Sequence, residues 1–78
     1  MPQSRMVLEG RTLHVSTDAA GDKSIRLFDM QGHMLYSEQF SGSTATLDLG
    51  KVKRGAYMVR LMAGNRTIAV KTLALKNN

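Results

Sequence analysis

The sequence predicts an all-β fold: a small antiparallel β-sandwich of about seven short strands with an immunoglobulin-like architecture. Three observations lead to this prediction. Apolar and polar residues alternate with a period of two in at least five segments, which is typical of strands with one buried face. Turn-forming residues recur at intervals of about 8–12 residues. No segment keeps a helical period over the roughly 10 residues that a helix needs. The 78 residues are enough for one domain at most.

The first half of the chain contains four predicted extended segments. They cover residues 6–8, 12–16, 23–28 and 34–40. Glu9 and Gly10 form a turn candidate after the first segment, and Gln31 and Gly32 supply a tight turn after the third. The third and fourth segments are therefore expected to form a hairpin.

Residues 44–49 form the next predicted strand, with Leu47 and Leu49 on one face. A connector over residues 50–54 leads to the most regular segment, which Gly55 opens and Gly64 closes. Both glycines tolerate the positive φ values that turns require.

Tyr57, Val59 and Leu61 share the face of this strand that we expect to be buried. Arg60 lies in the middle of the opposite face, which is therefore expected to meet water. Residues 66–75 form a second extended run, so the two segments together predict a C-terminal hairpin.

The alternation slips within the last run. Ile68 and Val70 share one parity, whereas Leu73 and Leu75 share the other. A β-bulge near Lys71 and Thr72 would re-aim the side chains.

The chain is basic, with 11 Lys and Arg against 6 Asp and Glu and a formal net charge of +5. A basic balance favours anionic partners, but these charges are dispersed and only residues 51–54 form a cluster. Nucleic acid is an unlikely partner on this pattern, because the chain has few aromatic residues to alternate with its cations. The alternative is a solvated basic surface that keeps a small domain soluble.

The sequence offers no recognisable catalytic or metal-binding pattern. Cysteine is absent, and His14 and His33 lack ligand spacing, so we expect surface histidines and no cofactor. Most carboxylates fall in predicted turns, where Asp accepts backbone hydrogen bonds; Asp29 fits this role well. We therefore expect a non-catalytic domain.

Two blocks of the sequence resemble the C-terminal sorting domains of the type IX (Por) secretion system. The first block, residues 25–35, is similar to that family's hairpin with a hydrophobic residue, Tyr or Phe, Asp29 and Gly32. The second block combines residues 47–52 with Gly55, Tyr57 and the Val-Arg pair that includes Arg60. Gly64 and the closing residues 71–76 resemble the last hairpin of the family. The resemblance covers residues 10–76.

The resemblance implies a seven-stranded β-sandwich appended to a larger exported protein and read by an outer-membrane secretion translocon or a cell-surface component. The domain is then located at the cell surface or outside the cell. Recognition is expected to involve Lys71 and Lys76, with Arg60 third, whereas the structural signature is Asp29, Gly32, Gly55, Tyr57 and Gly64. The alternative is that these three cations are simply solvated.

A second reading is a carbohydrate- or surface-binding module on a polysaccharide-degrading enzyme, since similar basic C-terminal modules occur on enzymes that degrade plant fibre. Its partner would be an acidic or insoluble polysaccharide. The absence of Trp counts against a flat cellulose-binding surface. Residues 1–6 contain no apolar segment of the kind found in a signal peptide, so the export signal of a secreted domain is expected upstream of these residues or within the domain. The resemblance leads us to expect that the chain is the C-terminal module of a larger exported protein.

Overall fold

The computed structural model describes residues 3–76, which form seven strands. The strands are β1 (Ser4–Glu9), β2 (Thr12–Thr17), β3 (Lys23–Asp29), β4 (Met34–Phe40), β5 (Thr44–Asp48), β6 (Gly55–Ala63) and β7 (Arg66–Leu75). These residues contain no helix of the length and apolar character needed to cross a membrane. The predicted strands are confirmed, and the apolar run at residues 6–8 lies within β1.

The strands form two antiparallel sheets. Sheet A has the order β1-β2-β5, and sheet B has the order β4-β3-β6-β7. The chain passes from sheet A to sheet B after β2, returns after β4 and passes to sheet B again after β5. The predicted antiparallel β-sandwich is therefore confirmed, because each sheet covers the apolar face of the other.

The core lies between the sheets and uses the faces that the alternation predicted. Tyr57 is 9% exposed, and Val59 and Leu61 are fully buried. Leu47 and Leu49 are also buried. Around them, the core cluster is completed by Leu13, Val15, Ile25, Leu27, Leu73 and Leu75. Leucine and β-branched residues therefore supply most of the hydrophobic stabilisation.

The β6–β7 hairpin turn places glycine where a two-residue loop needs it. Ala63 pairs with Arg66, so Gly64 and Asn65 form the β6–β7 loop. Gly64 has φ 59°, whereas no non-glycine residue among the described residues has a positive φ. Positive φ at the first central position alone is the pattern of a type II′ turn, which matches the twist of the strands.

The predicted bulge near Lys71 and Thr72 was wrong. Pairing is regular there, with Val59 opposite Lys71 and Met58 opposite Thr72. The register shifts instead where Leu61 pairs with Ala69 and the next residue pairs with Thr67, which leaves Ile68 as the extra residue. Ile68 and Ala69 consequently both pack against the core. The bulge lies earlier because the two-residue turn sets the register from its end of the hairpin.

The two sheets differ in width, which leaves β4 incompletely covered. Sheet A has three strands and sheet B has four, and β7 approaches β1 along one side of the sandwich. On the other side, β4 exposes Met34, Leu35 and Tyr36, each about half accessible to solvent.

Tyr36 donates a hydrogen bond to Glu38 at 3.1 Å. This hydrogen bond and the nearby carboxylate charge raise the pKa of Tyr36.

Candidate functional site

Tyr57 fixes the corner at which the chain re-enters sheet B. Its hydroxyl donates a 2.6 Å hydrogen bond to the carbonyl oxygen of Lys53, four residues earlier. Gly55 lies under the ring with φ 150°, and a Cβ atom there would stand 3.6 Å from the Tyr57 ring. The arrangement resembles the tyrosine corner of immunoglobulin-like sandwiches. Gly55 and Tyr57 therefore act together to hold the start of β6.

Asp29 closes the β3–β4 hairpin with its side chain. Its Oδ1 accepts hydrogen bonds from the backbone N–H groups of Gln31 at 3.0 Å and His33 at 2.9 Å. Gly32, with φ 92°, takes the left-handed position of the loop. The backbone hydrogen bond from His33 is the largest cause that lowers the pKa of Asp29; the His33 ring and the N–H of Gln31 act in the same direction. The expected turn role of Asp29 is confirmed.

Lys71, the first predicted recognition residue, lies on the inward-facing side of β7. It pairs with the buried Val59 and is itself half-buried. Lys71 therefore stands at the rim of the sandwich, between its core and the solvent.

Lys76 follows the end of β7 and is exposed. Its carbonyl oxygen accepts a 2.7 Å hydrogen bond from Nη1 of Arg11. The Nη2 atom of Arg11 donates to the carbonyl oxygen of Val52. Arg11 thus connects the β1–β2 turn of sheet A to the end of sheet B, and the side chain of Lys76 is left free. Arg11 was not among the predicted site residues, because a lone arginine in a turn carries no local signal.

Arg60 lies on the outer face of sheet B, as predicted, but it is half-buried. Its guanidinium group stands 5.2 Å from the centre of the Phe28 ring, within the range of a cation–π interaction. Directly opposite it, across the β3–β6 pair, is Arg26. Arg26 was not among the predicted site residues, because its pairing with Arg60 joins strands that are distant in the sequence.

The three predicted recognition cations do not form one cluster. Arg60 lies on the outer face of sheet B, Lys71 faces inward, and Lys76 stands beyond the end of β7. The residues of the structural signature instead occupy three turns or corners. Asp29 and Gly32 hold the β3–β4 loop, Gly55 and Tyr57 hold the entry to β6, and Gly64 holds the β6–β7 turn.

Both histidines and Asp48 make local contacts. His14 is about half exposed and pairs with Glu9 at 3.0 Å, and His33 is three-quarters exposed and pairs with Asp29 at 3.1 Å. Asp48 accepts a 2.8 Å hydrogen bond from the N–H of Gly50. Within residues 3–76, no group of three His, Cys, Asp or Glu side chains is placed to hold a metal ion. These contacts give the two histidines and the turn carboxylates Asp29 and Asp48 a local structural role.

Comparisons with known proteins bear on the architecture just described. Among curated proteins, no sequence matches the chain. The sequence profile described as the secretion system C-terminal sorting domain matches residues 10–76. This match includes every residue of the structural signature and all three predicted recognition cations. The chain therefore belongs to the family of C-terminal sorting domains of the type IX secretion system.

Proposed function

We propose that this domain is the non-catalytic C-terminal module of a larger exported protein, and that it directs sorting or surface anchoring through an outer-membrane translocon. The observation that carries this proposal is the family match over residues 10–76. The titratable groups add support, because their contacts serve turns and ion pairs. The cargo that precedes the domain would supply any enzymatic activity.

The recognised feature is the terminal hairpin, residues 55–76. A translocon that serves unrelated cargoes must read something common to all of them, and a folded hairpin is independent of cargo sequence. The second strand, β7, is an edge strand of sheet B, and a partner can pair with the free backbone groups of such an edge. Gly55, Tyr57 and Gly64 then act indirectly, by maintaining the hairpin.

Lys71, Lys76 and Arg60 are the cations that we assign to recognition in this hairpin. Lys76 has an exposed side chain, which is available to a partner without any change in the fold. Lys71 borders the edge of β7, so a partner strand would pass close to it. Arg60 lies on the outer face, and it would contribute only if the partner also covers that face.

The test is a fusion of the domain to an inert exported reporter in a host that has the type IX system. The fusion is expected to reach the medium or the cell surface. Deletion of residues 66–78 should leave the reporter in the periplasm. Because this deletion also removes Leu73 and Leu75 from the core, the double variant K71Q/K76Q is the sharper test.

The K71Q/K76Q variant is expected to fold, because Arg11 contacts the backbone carbonyl of Lys76 and not its side chain. Its melting temperature checks this expectation. The matched control is K51Q/K53Q, which removes the same charge from the β5–β6 connector. Normal export of K71Q/K76Q would overturn the assignment of the two lysines. Failure of the intact fusion to leave the periplasm would overturn the sorting function and favour the polysaccharide-binding module.

A further inference from the structure

The outer face of sheet B has two arginines directly opposite one another. Arg26 of β3 pairs with Arg60 of β6 in an antiparallel register. Cβ atoms of such pairs lie about 4.5–5.5 Å apart, and like charges in this position are destabilising. Within residues 3–76, the side-chain ion pairs are those of His14 and His33, so no carboxylate neutralises either arginine. The contact of Arg60 with the Phe28 ring supplies no opposite charge, so the repulsion between the two arginines is not neutralised by it.

Both side chains also keep a hydrogen-bond donor unused. The Nε atoms of Arg26 and Arg60 are buried and make no hydrogen bond within the described part of the chain. Buried donors are almost always paired, and an unpaired one destabilises the folded state. Their burial shows that both side chains lie along the sheet, so the two guanidinium groups are held close to its surface.

The surroundings of Arg60 are mostly apolar, whereas Arg26 has Ser37 opposite it on β4. Phe28 lies beside Arg60, and Met58 and Met62 flank Arg60 along β6 on the same face. Met62 is only 7% exposed, although it faces away from the core. On the neighbouring strand β7, Val70 pairs with Arg60 and is 55% exposed. The face thus combines arginine, methionine and an aromatic ring, which are the residue types enriched at protein interfaces.

We propose that this face binds an acidic protein segment, in which one Asp or Glu carboxylate is flanked by apolar side chains. A carboxylate matches the planar donors of guanidinium, and two guanidinium groups supply donors to both of its oxygens. The apolar flanks would contact Met58 and Val70. Methionine adapts well to such contacts, because its side chain is unbranched and flexible.

A protein segment fits this face better than a sugar or a nucleic acid does. Stacking on a sugar ring or a base needs a free aromatic face, whereas the Phe28 ring is already approached by the guanidinium of Arg60. Tracking a nucleic acid backbone also needs a row of cations. Here the two arginines form a single focus, with apolar side chains on the Arg60 side.

This inference rests on the proposed function only for the source of the segment, which would be a component of the export machinery. The binding face itself is independent of the terminal edge and of Lys71 and Lys76. Export can therefore fail in K71Q/K76Q while binding at this face persists. Conversely, binding at this face can be lost while export persists, and both outcomes are measurable.

The experiment is an NMR titration of the ¹⁵N-labelled domain, in which the Nε–H signals of Arg26 and Arg60 report on the site directly. The probe is a synthetic 12-residue peptide of alternating Glu and Leu, and the reference peptide has Gln in place of Glu. The Glu peptide is expected to shift both Nε–H signals, and the Gln peptide is expected to leave them unchanged. Equal shifts with both peptides, or none with either, would overturn the proposal.

Two double variants separate specific binding from general charge attraction. R26Q/R60Q is expected to weaken binding of the Glu peptide at least tenfold, whereas K51Q/R54Q, with the same net charge, should change it less than twofold. R60K keeps the charge but loses the planar fork, and it should also weaken binding. Equal losses in the two double variants would show that only net charge matters.

Polygalacturonate supplies the same carboxylate chemistry from a sugar. It is expected to bind more weakly than the Glu peptide and to be released by added salt. Tighter binding of polygalacturonate through Arg26 and Arg60, especially if it persists at high salt, would overturn the protein-partner proposal in favour of an acidic polysaccharide.

The melting temperature of R26Q/R60Q should equal or exceed that of the parent, because a like-charge pair has been removed.

Discussion

Arg11 donates a 2.7 Å hydrogen bond to the carbonyl oxygen of Lys76, from the turn of one sheet to the last described residue of the other. The two residues are 65 positions apart in the chain. This contact holds the end of β7 against the first hairpin. The end of the proposed recognition hairpin is therefore positioned by a residue that lies near the other end of the sequence.

Replacing Arg11 should loosen the end of β7. Arg11→Met removes the donors to the carbonyl oxygens of Lys76 and Val52, and two hydrogen bonds of this kind contribute about 1–2 kcal/mol. Hydrogen exchange should accelerate at the amides of residues 72–75 more than in β3. The control is Arg54→Gln in an exposed turn, and equal exchange in both variants would contradict the role of Arg11.

Tyr57 combines a core contact with a hydrogen bond, and two variants separate them. Tyr57→Ala should lower the free energy of unfolding by roughly 3–5 kcal/mol, because it removes a large buried ring. Tyr57→Phe keeps the ring and loses the hydrogen bond to Lys53, so it should cost about 1 kcal/mol. Urea denaturation measures both. A Tyr57→Ala variant that melts within a few degrees of the parent would place Tyr57 outside the core.

Lys23 is almost fully buried and should be required for stability. Its Nζ donates to the carbonyl oxygens of Ala19, Gly21 and Ser41 at 2.8–3.3 Å. It also lies 5.4 Å from the centre of the Phe40 ring.

Lys23→Met keeps most of the unbranched stem but leaves these carbonyls without their donor, so the free energy of unfolding should fall by roughly 1.5–3 kcal/mol. Lys51→Met, at an exposed position, serves as the control in thermal melts. A Lys23→Met variant as stable as its control would show that water replaces the ammonium group without cost.

Asp29 should make stability depend on pH in the acid range. Its pKa in the folded domain is lowered from the ordinary value of 3.8. A lowered folded pKa means that the carboxylate stabilises the fold above the unfolded pKa, and this stabilisation is lost as the pH falls through the folded pKa. The difference in unfolding free energy between the parent and Asp29→Asn should therefore shrink below about pH 4. A difference that is constant between pH 7 and pH 2 would contradict this linkage.

The local parts of the fold were predictable because their causes are local. Alternation along β6 depends only on the geometry of one strand, so Tyr57, Val59 and Leu61 could be assigned to the core from the sequence. Turn residues act in the same way: Asp29 and Gly64 satisfy or adopt backbone geometry within a few positions. The family resemblance added the number of strands, since it recognises the order of such local pieces.

The candidate site was less predictable, because its residues meet across the sheets. The pairing of β3 with β6 joins strands that are separated by two others in the chain, so nothing near Arg26 indicates that Arg60 lies opposite. The bulge at Ile68 was misplaced for a related reason, because the register of β7 is set by its turn and its partner strand.

The sequence by itself determined the faces of β2, β3, β5 and β6, the turn chemistry and the family, because each of these follows from contacts between residues close in the chain. Only the tertiary structure decided which cations stand together. It turned Lys71 toward the core, connected Arg11 to Lys76 and brought Arg26 beside Arg60. The physical reason is that sheet order and register are set by packing between distant segments, and side-chain neighbours across strands follow from that register.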